Sequence, residues 1–496
     1  MARQPWLRWV LVVLLGGLAA IGQAPFDLPI VAFIALILVF NLFRLTQTMR
    51  QAAWVGWVFG CGYFLISLHW IVEPFLVDAA RDGWMAPFAI LLISGGLALF
   101  WGAAFAVAHR IEASGRLSGW ALVFSWTLFE MLRAYVFTGF PWAMPSYVLV
   151  NSMAGQAAAW VGPHGLNLIL FGAACGVGAL FRADGRRAWL GGLAFVVAAW
   201  AIFSGPEPQE IALDRPVARL IQPNAPQHQK WEPEHAAVFF ARALEATRAD
   251  AEVAPDVIIW PETAVPAFLE NSELAVDSIA QAANGIAVVT GILRSDWPQF
   301  FNSAILIDQD GVVADIYDKS HLVPFGEYMP LGDFLADFGI SGLAAREGHG
   351  YSAGEGARLM DLGAVGYALP LICYEAIFPQ DVAATKTRPD VLMQLTNDAW
   401  FGSFSGPYQN LAQAQMRAIE QGLPMLRAAN TGVSAMIDSH GVIRAAMAMD
   451  TDGYLDVVVP QPLAATPYSR SGDLPFALIL LLVNAMLLGR ALMKSD

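Results

Sequence analysis

The sequence predicts an α-helical membrane bundle of about eight spans, with a layered α/β domain inserted before the last one. Three observations predict it. Hydrophobic residues make up 56% of the chain and charged residues only 14%, with a mean hydropathy of +0.50, whereas ordinary soluble domains carry about 25% charged residues. Apolar runs fill residues 1–204 and return near 474–493. Between them, strand-like apolar runs alternate with helical ones.

The apolar runs place spans near 6–23, 29–43, 52–71, 85–108, 118–134, 154–181, 188–204 and 474–493. Basic residues follow in register. Arg3 and Arg8 precede the first run, Arg44 and Arg50 follow the second, and Arg110 and Arg116 follow the fourth. Arg182, Arg186 and Arg187 follow the sixth, and Arg490 and Lys494 close the eighth. With eight spans every basic cluster falls on one side, which sets both termini in the cytoplasm. The expected division is a seven-span bundle over 1–204, a periplasmic domain over 205–473, and a last helix with a cytoplasmic tail over 474–496.

Charge follows the same division. The first 204 residues carry 11 basic and 7 acidic side chains, a net of +4, and the tail from Arg490 carries +1, so the block between them carries −19 where the whole chain carries −14. An acidic soluble block argues against nucleic acid as a partner. Of the three cysteines, Cys61 and Cys175 sit in apolar runs as packing residues. No spacing suggests a zinc site or a disulfide framework, and no metal or cofactor is expected.

In the inserted block, VARLIQ, DVIIW, IAVVTGI, NSAILID, YALPLIC, DVLMQLT and VSAMID read as strands, and GVVADIYDK as a hairpin arm. PEHAAVFFARALEATRAD and NLAQAQMRAIEQG read as helices.

Three segments of the block carry chemistry. IIWPETAVP brings Glu262, and YDKSHLVPFGEYMP brings Lys319 and Glu327. YALPLI ends at Cys373, followed by Tyr374 and Glu375. A thiol with an ordinary pKa of about 8.5 is mostly protonated at neutral pH. It needs a base within hydrogen-bond reach, and a carboxylate serves if burial raises its pKa. Glu262, after VIIW and a proline, is shielded enough for that. Lys319 offers a fixed positive charge for an oxyanion, with a backbone N–H after Cys373. Glu327 and Glu375 would keep Lys319 protonated and oriented.

In that order and roughly 55 residues apart, WPET, DKSHLVPFGEYMP and LICYE resemble the carbon–nitrogen hydrolase (nitrilase) superfamily. With the surrounding spans, the chain resembles the apolipoprotein N-acyltransferase family over nearly its whole length. The resemblance implies an αββα sandwich, a Glu262 base, a Lys319 oxyanion stabiliser and a Cys373 nucleophile that forms a thioester. It also implies supporting roles for Glu327, Tyr374 and Glu375, and substrate or loop positioning by Trp231 in QKWEP. The implied setting is the bacterial inner (plasma) membrane. There a phospholipid, phosphatidylethanolamine at its sn-1 ester, would donate an acyl chain to the N-terminal diacylglyceryl-cysteine of apolipoproteins.

Residues 332–350 mix glycines with Phe334, Leu335, Phe338, Ile340 and Leu343. They read either as a mobile lid dipping into the interface or as an amphipathic helix packed on the domain. Glu130 and Arg133 lie inside the fifth span, where charge points to function, yet their spacing also suits a local ion pair. Two other classes compete. A membrane-anchored amidase or nitrile hydrolase would release ammonia rather than lysophospholipid. A transporter with a vestigial triad would carry charges along a pathway and broken helices in matched halves.

Overall fold

The computed structural model describes residues 5–113, 118–182, 186–212, 214–330 and 350–493. The chain forms two compact units. The first comprises Met1–Pro206, Phe404–Ala412 and Thr466–Asp496; the second comprises Glu207–Ser403 and Gln413–Ala465.

In the first unit, each apolar run contains a helix: Pro5–Ala20, Pro29–Arg44, Met49–Ser67, Ala86–Glu112, Trp120–Tyr135, Ala158–Phe181, Arg186–Phe203 and Leu474–Met493. Among the described residues, three helical stretches are long and apolar enough to cross a membrane: Ala79–Glu112, Met153–Phe181 and Leu474–Met493. A pair bent by 63°, Met49–Ser67 with His69–Leu76, makes a fourth if taken as one span. Trp6–Ala20, Pro29–Arg44 and Trp189–Phe203 are shorter apolar helices. Aromatic rings fill the centre. Trp126 stacks on Phe171 at 4.3 Å and meets Trp101 edge-on at 4.9 Å.

Glu130 and Arg133 form a fully buried local ion pair at 2.8 Å. The Trp101 indole donates to Glu130 at 2.6 Å. Arg133 also donates to the Phe140 carbonyl and, at 2.9 Å, to that of Trp142. The Trp142 indole in turn donates to Gln409 Oε1 at 2.7 Å. Every charge and donor in this chain of contacts has a partner, which an apolar surrounding demands.

The second unit is two six-stranded sheets packed face to face with helices outside. One sheet runs β12-β1-β2-β3-β4-β5, with β1 Val217–Gln222, β2 Val257–Ile259, β3 Ala287–Asp296, β4 Gln299–Ile307, β5 Val313–Asp318 and β12 Gly453–Val458. The other runs β11-β10-β9-β8-β7-β6, with β6 Met360–Asp361, β7 Tyr367–Ile372, β8 Val391–Thr396, β9 Met425–Ala429, β10 Ala435–Ile437 and β11 Ile443–Ala446. β1–β2–β3 and β7–β8–β9 are parallel; the flanking pairs are antiparallel.

Side-chain alternation builds the layers. Ala218, Leu220, Val257 and Ile259 face Ile372, Met393 and Leu426 in the core between the sheets. Ile221, Ile258 and Val288 point outward, into a second core with helices Pro233–Arg248 and Glu273–Ala283. This is the αββα sandwich expected from the sequence.

Candidate active site

The predicted residues sit at strand ends, where the chain leaves the sheets and side chains can converge. Glu262 follows β2, with Thr263 behind it in a left-handed conformation (φ 46°). The turn packs so tightly on β3 that a Cβ on Gly291 would lie 2.3 Å from the Thr263 nitrogen. Only glycine fits there. Lys319 follows β5 directly, and its backbone N–H donates to the Asn302 carbonyl at 2.8 Å. Cys373 follows β7 and is itself left-handed (φ 51°), a costly backbone for a non-glycine residue that its surroundings must hold in place.

These side chains come together in a buried cluster. Exposure is 6% for Glu262, 1% for Lys319, 4% for Cys373 and 1% for Glu375. Lys319 Nζ lies 2.9 Å from Glu327 Oε1 and 3.6 Å from Glu262 Oε1. Asn302 Nδ2 donates to Glu262 at 2.7 Å and to Glu327 at 3.2 Å. The second oxygen of Glu262 accepts the Asn397 backbone N–H at 2.7 Å, and that of Glu327 accepts the Val323 N–H at 2.8 Å.

Glu375 ties two loops together. Its Oε2 accepts the Ile372 N–H at 2.7 Å, just before the cysteine. Its Oε1 accepts the Ser320 N–H and hydroxyl, both at 2.7 Å, and the Tyr317 hydroxyl at 2.8 Å, next to Lys319. Glu375 therefore bridges the cysteine elbow and the lysine loop rather than touching the lysine. Burial raises its pKa, against those hydrogen bonds. Tyr374 packs edge-on against Phe378 at 4.9 Å.

The electrostatics follow from burial and neighbours. Burial pushes the Cys373 thiol well above its usual range, and the Glu262 charge pushes it further, while Lys319 pulls it down. Burial alone would lower Lys319, but Glu327 and Glu262 outweigh it and hold the ammonium charged. A resting thiol beside a carboxylate and a fixed cation suits concerted loss of its proton during attack.

Trp231 is half-exposed at the mouth of a small cavity that reaches Glu262. The same cavity holds a residue the motifs did not single out. Lys230 is buried, and its Nζ donates to Thr263 Oγ1 at 2.6 Å and the Glu262 carbonyl at 3.1 Å. Burial brings it down to about 8, against the charges of Glu262 and Cys373. Asn302 and Asn397 were missed as well. Their sequence signal is slight, a polar residue within or just after a strand. Phe334 and Phe338 lie outside the described residues.

Comparison with known proteins accounts for both units. Residues 15–176 match the Apolipoprotein N-acyltransferase N-terminal domain, and residues 218–468 match Carbon-nitrogen hydrolase. An apolipoprotein N-acyltransferase of Rhodopseudomonas palustris is 37% identical, covering 98% of this chain and 95% of its own. One from Brucella suis is 35% identical, over 92% and 90%. Among solved structures, an amidase from Nesterenkonia sp. is similar over 54% of this chain and 98% of its own, at 18% identity and a TM-score of 0.39. Both domains match in the same chain and in order, and the relatives align from end to end; the chain belongs to the apolipoprotein N-acyltransferase family.

Proposed function

We propose that the protein moves an acyl chain from a phospholipid to the N-terminal amine of apolipoproteins by way of a thioester on Cys373. The observation that carries this reading is the buried contact of Lys319 with both Glu262 and Glu327, in a chain whose relatives share its full length.

In the first step the Cys373 sulfur attacks the sn-1 ester carbonyl of phosphatidylethanolamine while Glu262 takes the thiol proton. Lys319 and the backbone N–H after Cys373 stabilise the oxyanion. The intermediate collapses, the lysophospholipid oxygen leaves with the proton held by Glu262, and a thioester remains. In the second step the α-amine of a diacylglyceryl-cysteine attacks the thioester and gives its proton to Glu262. An amide forms, and the departing sulfur recovers the proton. Glu327 holds Lys319, Glu375 and Tyr374 support the cysteine elbow, and Trp231 positions substrate at the mouth. In this reading residues 1–204 supply seven spans, 205–473 the periplasmic catalytic domain, and 474–496 the last span, with both termini cytoplasmic.

Intact mass spectrometry after incubation with phosphatidylethanolamine tests the reading. Wild type should gain one acyl chain, removed by hydroxylamine, while Cys373→Ser and Glu262→Gln gain none. No adduct on folded wild-type protein, with ammonia released from small amides instead, would sink it.

A further inference from the structure

One feature near Cys373 belongs neither to the triad nor to its carboxylate partners. Gln394 on β8 and Arg427 on β9 are register partners, and with Thr396 and Asp398 they are wholly buried. Gln394 Nε2 donates to the Cys373 carbonyl at 3.2 Å. Its own carbonyl oxygen accepts from Arg427 Nη1. Arg427 Nη2 donates to Asp398 Oδ2 at 2.5 Å, and its Nε to the Val433 carbonyl at 3.1 Å. Thr396 Oγ1 donates to Asp398 Oδ1 at 2.8 Å and is also in hydrogen-bonding reach of the Cys373 thiol. Two routes therefore run from Arg427 to the cysteine. One passes through Gln394 to its carbonyl, the other through Asp398 and Thr396 to its sulfur.

A buried Arg–Asp pair is poorly explained by stability, because apolar residues of equal volume often do as well or better. Room has nonetheless been made for this one: a Cβ on Gly432 would lie 2.1 Å from Asp398 Oδ2. The pair adjoins a residue that needs holding. Cys373 is left-handed, and its elbow is clamped by Glu375 at the Ile372 N–H and by Gln394 at its own carbonyl. An amide can serve such a clamp only if it cannot flip, and the planar guanidinium of Arg427 fixes which end is the donor.

We propose that Arg427, paired with Asp398, is a positioning residue for the nucleophile, locking Gln394 onto the Cys373 carbonyl and Thr396 beside its thiol. The inference rests on the reading of Cys373 as the acylated residue. The charged groups acting on the thiol are Glu262, Lys319, Asp398 and Lys230. Arg427 acts through Asp398, whose charge it balances.

The test compares Arg427→Met, Arg427→Lys and Gln394→Leu in the full-length protein in detergent. Acyl-enzyme formation is measured by intact mass against phosphatidylethanolamine concentration. Alkylation by iodoacetamide is followed across pH on the peptide containing Cys373. Misplacing a reacting group by about 1 Å costs roughly 100-fold. Arg427→Met and Gln394→Leu should each slow acylation on that scale at saturating lipid, with half-saturation unchanged. Their double variant should be no slower than Arg427→Met, as expected for one chain of contacts. Arg427→Lys, unable to fork to two acceptors, should not restore the rate. The alkylation midpoint should move in Arg427→Met, which removes the ion pair beside Thr396, and stay in place in Gln394→Leu, which keeps it. If Arg427→Met does not fold, Gln394→Leu decides alone, since it leaves the ion pair intact. Folded variants that acylate at the wild-type rate, or that change only half-saturation, overturn the inference. Wild type that alkylates but never acylates overturns the proposed function instead.

Discussion

Lys319 sits nearer to Glu327, at 2.9 Å, than to Glu262, at 3.6 Å. The cation is thus tethered to one carboxylate, and the other keeps its remaining hydrogen bonds to Asn302 and the Asn397 N–H. In the proposed mechanism one acid holds the charge while the other exchanges a proton.

Glu327→Gln should separate these duties. It keeps size and removes charge, so burial of Lys319 is less opposed and its raised pKa falls. Acyl-enzyme formation should slow by roughly 100-fold, the scale of losing an oxyanion stabiliser. Its alkaline limb should move to lower pH, because the lysine now loses its proton sooner. A pH–rate profile with an unmoved alkaline limb would contradict this.

Asn302→Leu should leave the fold intact and loosen the hold on Glu262. A hydrogen bond to a charged group contributes about 1.5–3 kcal/mol, which corresponds to roughly 10- to 100-fold in rate. Single-turnover acylation should slow within that range, while a loss of thermal stability without any loss of rate would argue against the assignment.

Lys230 gives a stability test with a definite sign. Its folded pKa is lowered to about 8, while an unfolded lysine keeps its proton to about 10.4. Between those values the unfolded chain binds more protons, so folding becomes more favourable as pH rises, by about 1.4 kcal/mol per pH unit. The melting point of wild type, relative to Lys230→Met, should climb from pH 8 to pH 10. A difference that stays flat would show that Lys230 carries no depressed pKa.

The Glu130–Arg133 pair should behave non-additively. Arg133→Met strands a buried carboxylate and should cost about 3–5 kcal/mol. The double variant Glu130→Leu with Arg133→Met should recover part of that loss. Thermal unfolding in detergent measures both, and strict additivity would refute the coupling.

Much of this was legible in the sequence, for a physical reason. β1, β2, β7 and β8 are mostly apolar because both their faces are covered, with Arg219 on β1 and Gln394 on β8 among the exceptions. β9 was missed because MLRAA lacks a β-branched residue and carries Arg427 at its centre. β12 was missed because it opens on Gly453 and includes Asp456, whose charge meets Arg219 at 2.7 Å across the β1–β12 pair. The convergence of Glu262, Lys319 and Cys373 was readable because each lies at or just after a strand end with its own punctuation. Asn302, Gln394 and Arg427 owe their roles to sheet register, which brings together positions far apart in the chain. Glu130 and Arg133 announced each other by spacing, but nothing in the sequence showed that Arg133 would also capture the carbonyls of Phe140 and Trp142.

β1 and β12 run side by side, with Val217 opposite Val458. The catalytic fold therefore begins and ends at one edge, like a loop drawn from a rope and pinched at its neck. A module built this way can be spliced between two membrane segments without disturbing the order of those on either side. Lengthening or trimming loops elsewhere in the domain leaves that neck unchanged.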